Sequence, residues 1–207
     1  MSKDLVFYTN PMSRGRLVRW MLEEVGIPYE TEIISYGDQM KGADYRAINP
    51  MGKVPAIRHG DTVVTECAAI CTYLADVVPE AGLAPPPDQR GPYYRWLFFA
   101  AGPLESAAIH HSLGFDPDQE AQGRVGYGTF SDVMDTLETA LPAQGWIAGD
   151  SFTTADLYLG ANIGWGLQVG TIENRPGFAA YAKRTSDREA YRRAMAIDDA
   201  AMPAQAS

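Results

Sequence analysis

The chain has 207 residues, 46% of them hydrophobic and 21% charged, which is length enough for one large packed domain or two small ones. A formal charge of −9 argues against a surface built for nucleic acid or for an anionic membrane, so neither is expected as a partner. No apolar run has the length of a membrane span, and no apolar N-terminal run follows a basic cluster. The two cysteines, Cys67 and Cys71, fit neither a disulfide scaffold nor a zinc site, so a cytoplasmic protein without a metal is expected.

Residues 5–8 are predicted to form a strand that stops at Thr9-Asn10-Pro11. Ser13 follows at a helix head, and Leu17, Val18, Met21, Leu22 and Val25 recur at helical spacing until Gly26 ends the run. Residues 27–34 read as a second strand and residues 44–48 as a short helical turn. Asn49-Pro50-Met51-Gly52 has turn chemistry, after which residues 54–57 read as a short strand. Pro55 cannot donate to a sheet ladder, so that strand needs an open edge or a bend there. Gly60-Asp61 is a tight hairpin signal, residues 62–64 return, and Glu66-Cys67-Ala68-Ala69-Ile70 opens a helix continued by Tyr73, Leu74 and Val77. The first 78 residues thus read β-α-β-turn-β-β-α, a parallel pair extended by an antiparallel hairpin in a thioredoxin-like arrangement. A strand edge held open by a proline, facing a helix N-terminus, suits an extended peptide carrying a carboxylate.

Three consecutive prolines, Pro85 to Pro87, mark residues 79–89 as a semi-rigid, extended linker. Beyond it the pattern is helical: residues 90–111 with a kink expected at Gly102-Pro103, then 127–141, 154–169, 177–184 and 188–197, before a tail at 201–207 expected to fray. Thr153 and Asp156 form a capping box, with Phe152 and Leu157 at the flanking staple positions. Three segments result: an α/β domain over 1–78, a linker over 79–89 and an all-helical domain over 90–207.

The run Asn49-Pro50-Met51-Gly52-Lys53-Val54-Pro55, the hairpin, and Glu66-Cys67-Ala68-Ala69-Ile70 together resemble the glutathione-binding signature of the glutathione S-transferase family. The Thr153–Asp156 box resembles the one that opens a buried helix of that family's second domain, so the resemblance spans both halves. It implies the family's fold: α/β plus all-α, a thioredoxin-like N-terminal domain followed by an all-helical C-terminal domain. It also implies a cis Val54–Pro55 bond, with the Val54 backbone pairing to the cysteinyl part of glutathione and Glu66 and Cys67 holding its γ-glutamyl end. Lys53 is then the cation for the glycyl carboxylate, with Lys41 as a second. Cys67 departs from the family's usual serine, replacing a hydroxyl with a weak thiol donor.

By the same resemblance Ser13 meets the glutathione sulfur, as in serine-type members, with Asn10 as the alternative. A thiol with a pKa of about 8.5 is mostly protonated at neutral pH. A hydroxyl donor, a helix N-terminus and a nearby cation, Arg14 or Arg16, would together favour the thiolate. Ser13 also reads as a plain N-cap, and Arg19 as a solvated helix charge. Tyr94, Phe98, His110 and Phe115 are assigned to an apolar second-substrate pocket, although aromatic residues at this spacing also suit a core. The implied function is conjugation of the glutathione thiolate to small hydrophobic electrophiles in detoxification. A glutathione-dependent disulfide or peroxide reductase and a non-catalytic binding module are the alternatives. A two-fold homodimer is expected, through the helices starting near Glu66 and Arg90.

Overall fold

Strand β1 (Leu5–Thr9) is buried along its whole length and forms an inner strand of the N-terminal sheet. The computed structural model describes residues 4–202, so 203–207 of the expected tail lie outside the described residues. Helix α1 (Gly15–Val25) ends at Gly26, whose φ of 67° is the left-handed cap a glycine adopts without strain. Strand β2 (Glu30–Ile33) pairs parallel with β1. It is shorter than the expected 27–34 because the ladder opens at Val6 with Glu30, and Pro28 ahead of it has no N–H to offer.

Two short helices, α2 (Asp38–Lys41) and α3 (Ala43–Arg46), lead to β3 (Ala56–His59), antiparallel to β1; α2 lies between Gly37 and Gly42 and was not expected. The third strand starts at Ala56 rather than at residue 54, since Pro55 contributes no ladder donor. The Gly60-Asp61 hairpin returns the chain as β4 (Thr62–Thr65), giving a mixed sheet in the order β2-β1-β3-β4. Helix α4 (Cys67–Val77) follows. Val6, Tyr8 and Ala56 pack on one face of the sheet with Met40 of α2 and Tyr45 of α3. Alternation turns Phe7 to the other face, where the Arg19 guanidinium of α1 lies 4.9 Å from its ring centre.

In the second half, the expected extended linker contains 3₁₀ turns at Pro79–Ala81 and Pro87–Gln89. Helices α5 (Gly91–Phe99) and α6 (Glu105–Ser112) are joined by a π-helical segment, Ala100–Leu104. The wider turn accommodates the Pro103 ring and its missing N–H within the helix, where the sequence suggested an interruption. Helix α7 (Phe130–Ala140) starts three residues later than expected, because Thr129 and Asp132 form a capping box there. Helix α8 (Thr154–Val169) opens on the anticipated box. Asp156 is fully buried and accepts from the N–H groups of Thr153 (2.9 Å) and Ile147 (2.7 Å). It also accepts from the Tyr181 hydroxyl (2.6 Å) on α9 (Pro176–Ser186).

Helix α10 (Glu189–Ala200) corrects the expected domain boundaries. Residues 4–82 and 189–202 form one compact unit and residues 83–188 the other, so the last helix does not belong with the other C-terminal helices. The cause is a set of side chains on α1. Arg19, expected to be solvated, is 2% exposed and donates to Asp198 at 3.2 Å, to Tyr29 at 3.1 Å and to Thr31 at 2.7 Å. Trp20 meets Tyr191 edge to face at 4.9 Å, and Glu23 pairs with Arg193. Among the described residues no helix is long and apolar enough to cross a membrane.

Candidate functional site

The turn between β1 and α1 is held by its own polar groups. Asn10 is buried; its Nδ2 donates to the Ile34 carbonyl (3.0 Å) and its Oδ1 accepts from the Met12 N–H (3.0 Å). These bonds make Asn10 a clamp on the turn. Ser13 lies two residues ahead of α1, and Arg14 occupies the cap position, yet the Ser13 hydroxyl still accepts from the Gly15 N–H at 2.9 Å. Its own proton goes to the Asn10 carbonyl at 2.7 Å, an acceptor that also receives the Ser13 N–H at 3.0 Å. Capping uses an oxygen lone pair and donation uses the proton. Ser13 can therefore keep its cap while handing its proton to another acceptor, and the Asn10 carbonyl would still have a partner. Gly15 is required by crowding: a Cβ there would collide with Thr9 Oγ1 and approach Ser13 Oγ to 3.0 Å.

The second wall runs from α3 to β3. The Tyr45 hydroxyl and Asn49 Nδ2 both donate to the Lys53 carbonyl, at 2.8 and 2.7 Å. Burial, helped by Tyr8 and Glu32, pushes the Tyr45 hydroxyl up to about 12, so it remains a donor at any physiological pH. Lys41 Nζ donates to the carbonyls of Gly52 (2.6 Å) and Met51 (3.2 Å), bracing the same turn. Gly52 has φ 57°, and a Cβ there would come within 2.8 Å of the Met40 carbonyl. The Val54–Pro55 bond is cis. Tyr45 and Asn49 are positioning residues that the sequence reading missed. Asn49 at the head of an Asn-Pro turn carried the signal of a side chain bonded to nearby backbone, whereas Tyr45 carried none.

Glu66 and Cys67 stand at the head of α4. Glu66 is exposed at φ 66°, the sole positive φ among the described residues other than glycine, a conformation that costs about 1–3 kcal/mol. The Cys67 thiol donates to the Arg14 carbonyl at 3.7 Å, which brings the head of α4 against the turn carrying Ser13. Cys71 is fully buried, and burial raises its pKa well above the ordinary thiol value. Lys53 is exposed beside the cis bond. Arg16, one of two cations considered for the sulfur, directs its guanidinium to Asp199 and to the Pro11 carbonyl.

The four aromatic and histidine residues assigned to a second substrate fall into two groups. Tyr94 and Phe98 are exposed neighbours on α5, with ring centres 6.3 Å apart. His110 bonds Tyr127 through Nδ1 at 2.8 Å and meets Phe115 edge to face at 5.2 Å. Twelve residues of helix from Phe98 to His110 span about 18 Å, so one small molecule reaches one group or the other. Among the described residues no cluster of three His, Cys, Asp or Glu side chains is placed to hold a metal ion.

Residues 12–77 match the family described as glutathione S-transferase, N-terminal domain. The chain is 33% identical over 152 residues to glutathione S-transferase GstA of Escherichia coli O157:H7, covering 71% of this chain and 74% of that protein. The chain belongs to the glutathione S-transferase family. A glutathione transferase from Methylococcus capsulatus superposes with a TM-score of 0.77 at 31% identity, over 95% of this chain and 99% of that one. A sphingomonad glutathione S-transferase complexed with glutathione gives 0.75 at 26% identity, over 94% and 98%. The family match of 12–77 takes in Ser13, Lys41, Lys53, Val54, Pro55, Glu66 and Cys67. Asn10 lies just ahead of it.

Proposed function

We propose that this transferase-family chain joins the glutathione thiolate to small hydrophobic electrophiles. The observation that carries the reading is the paired wall: a cis Val54–Pro55 segment fixed by Tyr45 and Asn49, beside a helix head, Glu66-Cys67, that touches the Ser13 turn. In this reading the Val54 backbone pairs with the cysteinyl amide, and the Glu66 carboxylate takes the γ-glutamyl ammonium. The backbone N–H at Cys67 takes the γ-glutamyl carboxylate. Lys53 faces the glycyl carboxylate, while Lys41 adds positive charge from behind the turn it braces. Ser13 transfers its hydrogen bond from the Asn10 carbonyl to the sulfur, and Asn10 holds the turn in shape. The electrophile lies against either Tyr94 and Phe98 or His110 and Phe115. We further read the chain as a cytoplasmic homodimer assembled through α4 and α5, which sedimentation of the purified protein checks.

A reductase mechanism is less well served, because Ser13 stands where a thiol-exchange mechanism would use a cysteine and the chain has no Cys-x-x-Cys pair. Calorimetry with glutathione and turnover with a panel of electrophiles test the proposal directly. Ser13→Ala is expected to keep glutathione affinity within a few-fold while turnover falls. A hydrogen bond to a charged acceptor is worth about 1.5–3 kcal/mol, so the bound thiol pKa rises by roughly one to two units and the activity–pH profile moves alkaline. An unmoved profile would remove Ser13 from the chemistry.

A further inference from the structure

The first turns of α1 carry two arginines three residues apart, Arg16 and Arg19, and therefore on one side of the helix. Both reach α10. Arg19 and Asp198 form the buried contact that fixes where α10 lies along α1, and Trp20 against Tyr191 extends it. Arg16 does something different. Its guanidinium makes three contacts in three directions: Nη2 on Asp199 Oδ1 at 2.6 Å, Nη1 on the Met195 sulfur at 3.6 Å, and Nε on the Pro11 carbonyl at 2.6 Å. Pro11 is buried and stands between Asn10 and Ser13 in the turn. A guanidinium holds such contacts in one rigid plane, whereas an ammonium on a flexible stem would not hold the same fork.

We infer that Arg16 is a positioning residue through which the C-terminal helix sets the shape of the sulfur-facing turn. Asp199 and Met195 hold the guanidinium, and the guanidinium holds the Pro11 carbonyl. Other hydrogen bonds of the turn close on itself or reach Ile34, Tyr36 and the Cys67 thiol of α4, and the Arg16 guanidinium ties it to α10. The catalytic part of the inference rests on the assignment of Ser13 to the sulfur. The mechanical part does not.

The test uses the full chain with Asp199→Ala, Asp199→Asn, Arg16→Lys and the Arg16→Lys/Asp199→Ala pair. Hydrogen exchange at the Met12 and Ser13 amides reads the turn without any substrate. Asp199→Ala and Arg16→Lys are each expected to speed that exchange about tenfold while exchange in β1 is unchanged. Asp199→Asn, which keeps an acceptor, falls between them and wild type. In turnover, Asp199→Ala is expected to lower kcat five- to twenty-fold with glutathione affinity held within about twofold and an alkaline shift of the pH profile. The double variant should be no worse than Arg16→Lys alone, because both changes break one chain of contacts. Unchanged exchange at Met12 and Ser13 in Asp199→Ala would overturn the inference whatever the activity. Multiplying losses in the double variant would overturn it too. Faster exchange in an Asp199→Ala chain whose pH profile does not move would keep the link from α10 to the turn and refute Ser13 as the sulfur's partner.

Discussion

Around Ser13 the chemistry depends on a residue with no side chain. Gly15 sits where a Cβ would collide with the Thr9 hydroxyl, itself fully buried at the end of β1, and would press on Ser13 Oγ. Helix propensity alone predicts that Gly15→Ala stabilises by up to about 1 kcal/mol. Crowding predicts the opposite sign, since forcing a methyl group into a closed contact costs about 1–3 kcal/mol. Gly15→Ala is therefore expected to lower the denaturant midpoint and turnover together, because Ser13 must move. Thr9→Ala combined with Gly15→Ala should recover most of the stability. A Gly15→Ala protein as stable and active as wild type would show that Thr9 can turn away at little cost. At Glu66 the relation is reversed: a residue with a side chain holds a φ suited to glycine, and the carboxylate at the head of α4 is what it supplies.

Among the elements, α8 shows how far a sequence signal reaches. The box of Thr153 and Asp156 was legible because one stretch of four residues contains it. The rest of the Asp156 network was not, because Ile147 and Tyr181 lie 9 and 25 residues away and carry no pattern linking them. The Tyr181 hydroxyl has its pKa raised, by burial first and by Asp156 next, so it stays a donor. Asp156→Ala strands the Thr153 N–H and this hydroxyl in the interior and takes the acceptor from the half-buried Ile147 N–H. A lost cap costs about 0.5–2 kcal/mol and an unsatisfied buried group about 1–3, so a loss of about 3 kcal/mol or more is expected in equilibrium unfolding. Asp156→Asn, with one acceptor left, should lose less; equal losses would mean that the charge, and not the bonds, is what α8 needs. The hairpin, the bend at Pro55 and the helix at Glu66 are local and followed from residue type. The bracing of Lys53 by Tyr45 and Asn49 depends on how the chain returns, as does the crowding at Gly15.

For the molecule as a whole, the decisive feature is that α10 joins the unit of β1 and α1. Residue composition could not show this, since Arg19 and Asp198 are 179 positions apart and each reads as a surface charge. Asp198 is fully buried, and burial raises its pKa, against the attraction of Arg19 and Arg16 and with the repulsion of Asp199. A carboxyl whose folded pKa exceeds its unfolded value of about 3.9 binds its proton more tightly in the folded state. Its contribution to stability is full below the unfolded value and is lost as pH rises through the folded one. Asp198→Asn keeps an acceptor for Arg19 but cannot ionise. Its deficit relative to wild type should therefore be greatest in acid and shrink as pH rises, measured as urea midpoints between pH 4.5 and 8. Asp198→Ala leaves the buried Arg19 with Tyr29 and Thr31 but without its carboxylate, and should cost more than Asp198→Asn at every pH, by up to about 3–5 kcal/mol. An Asn deficit that grows with pH would reverse the balance, with the attraction of Arg19 outweighing burial and the ionised pair itself holding α10 against α1.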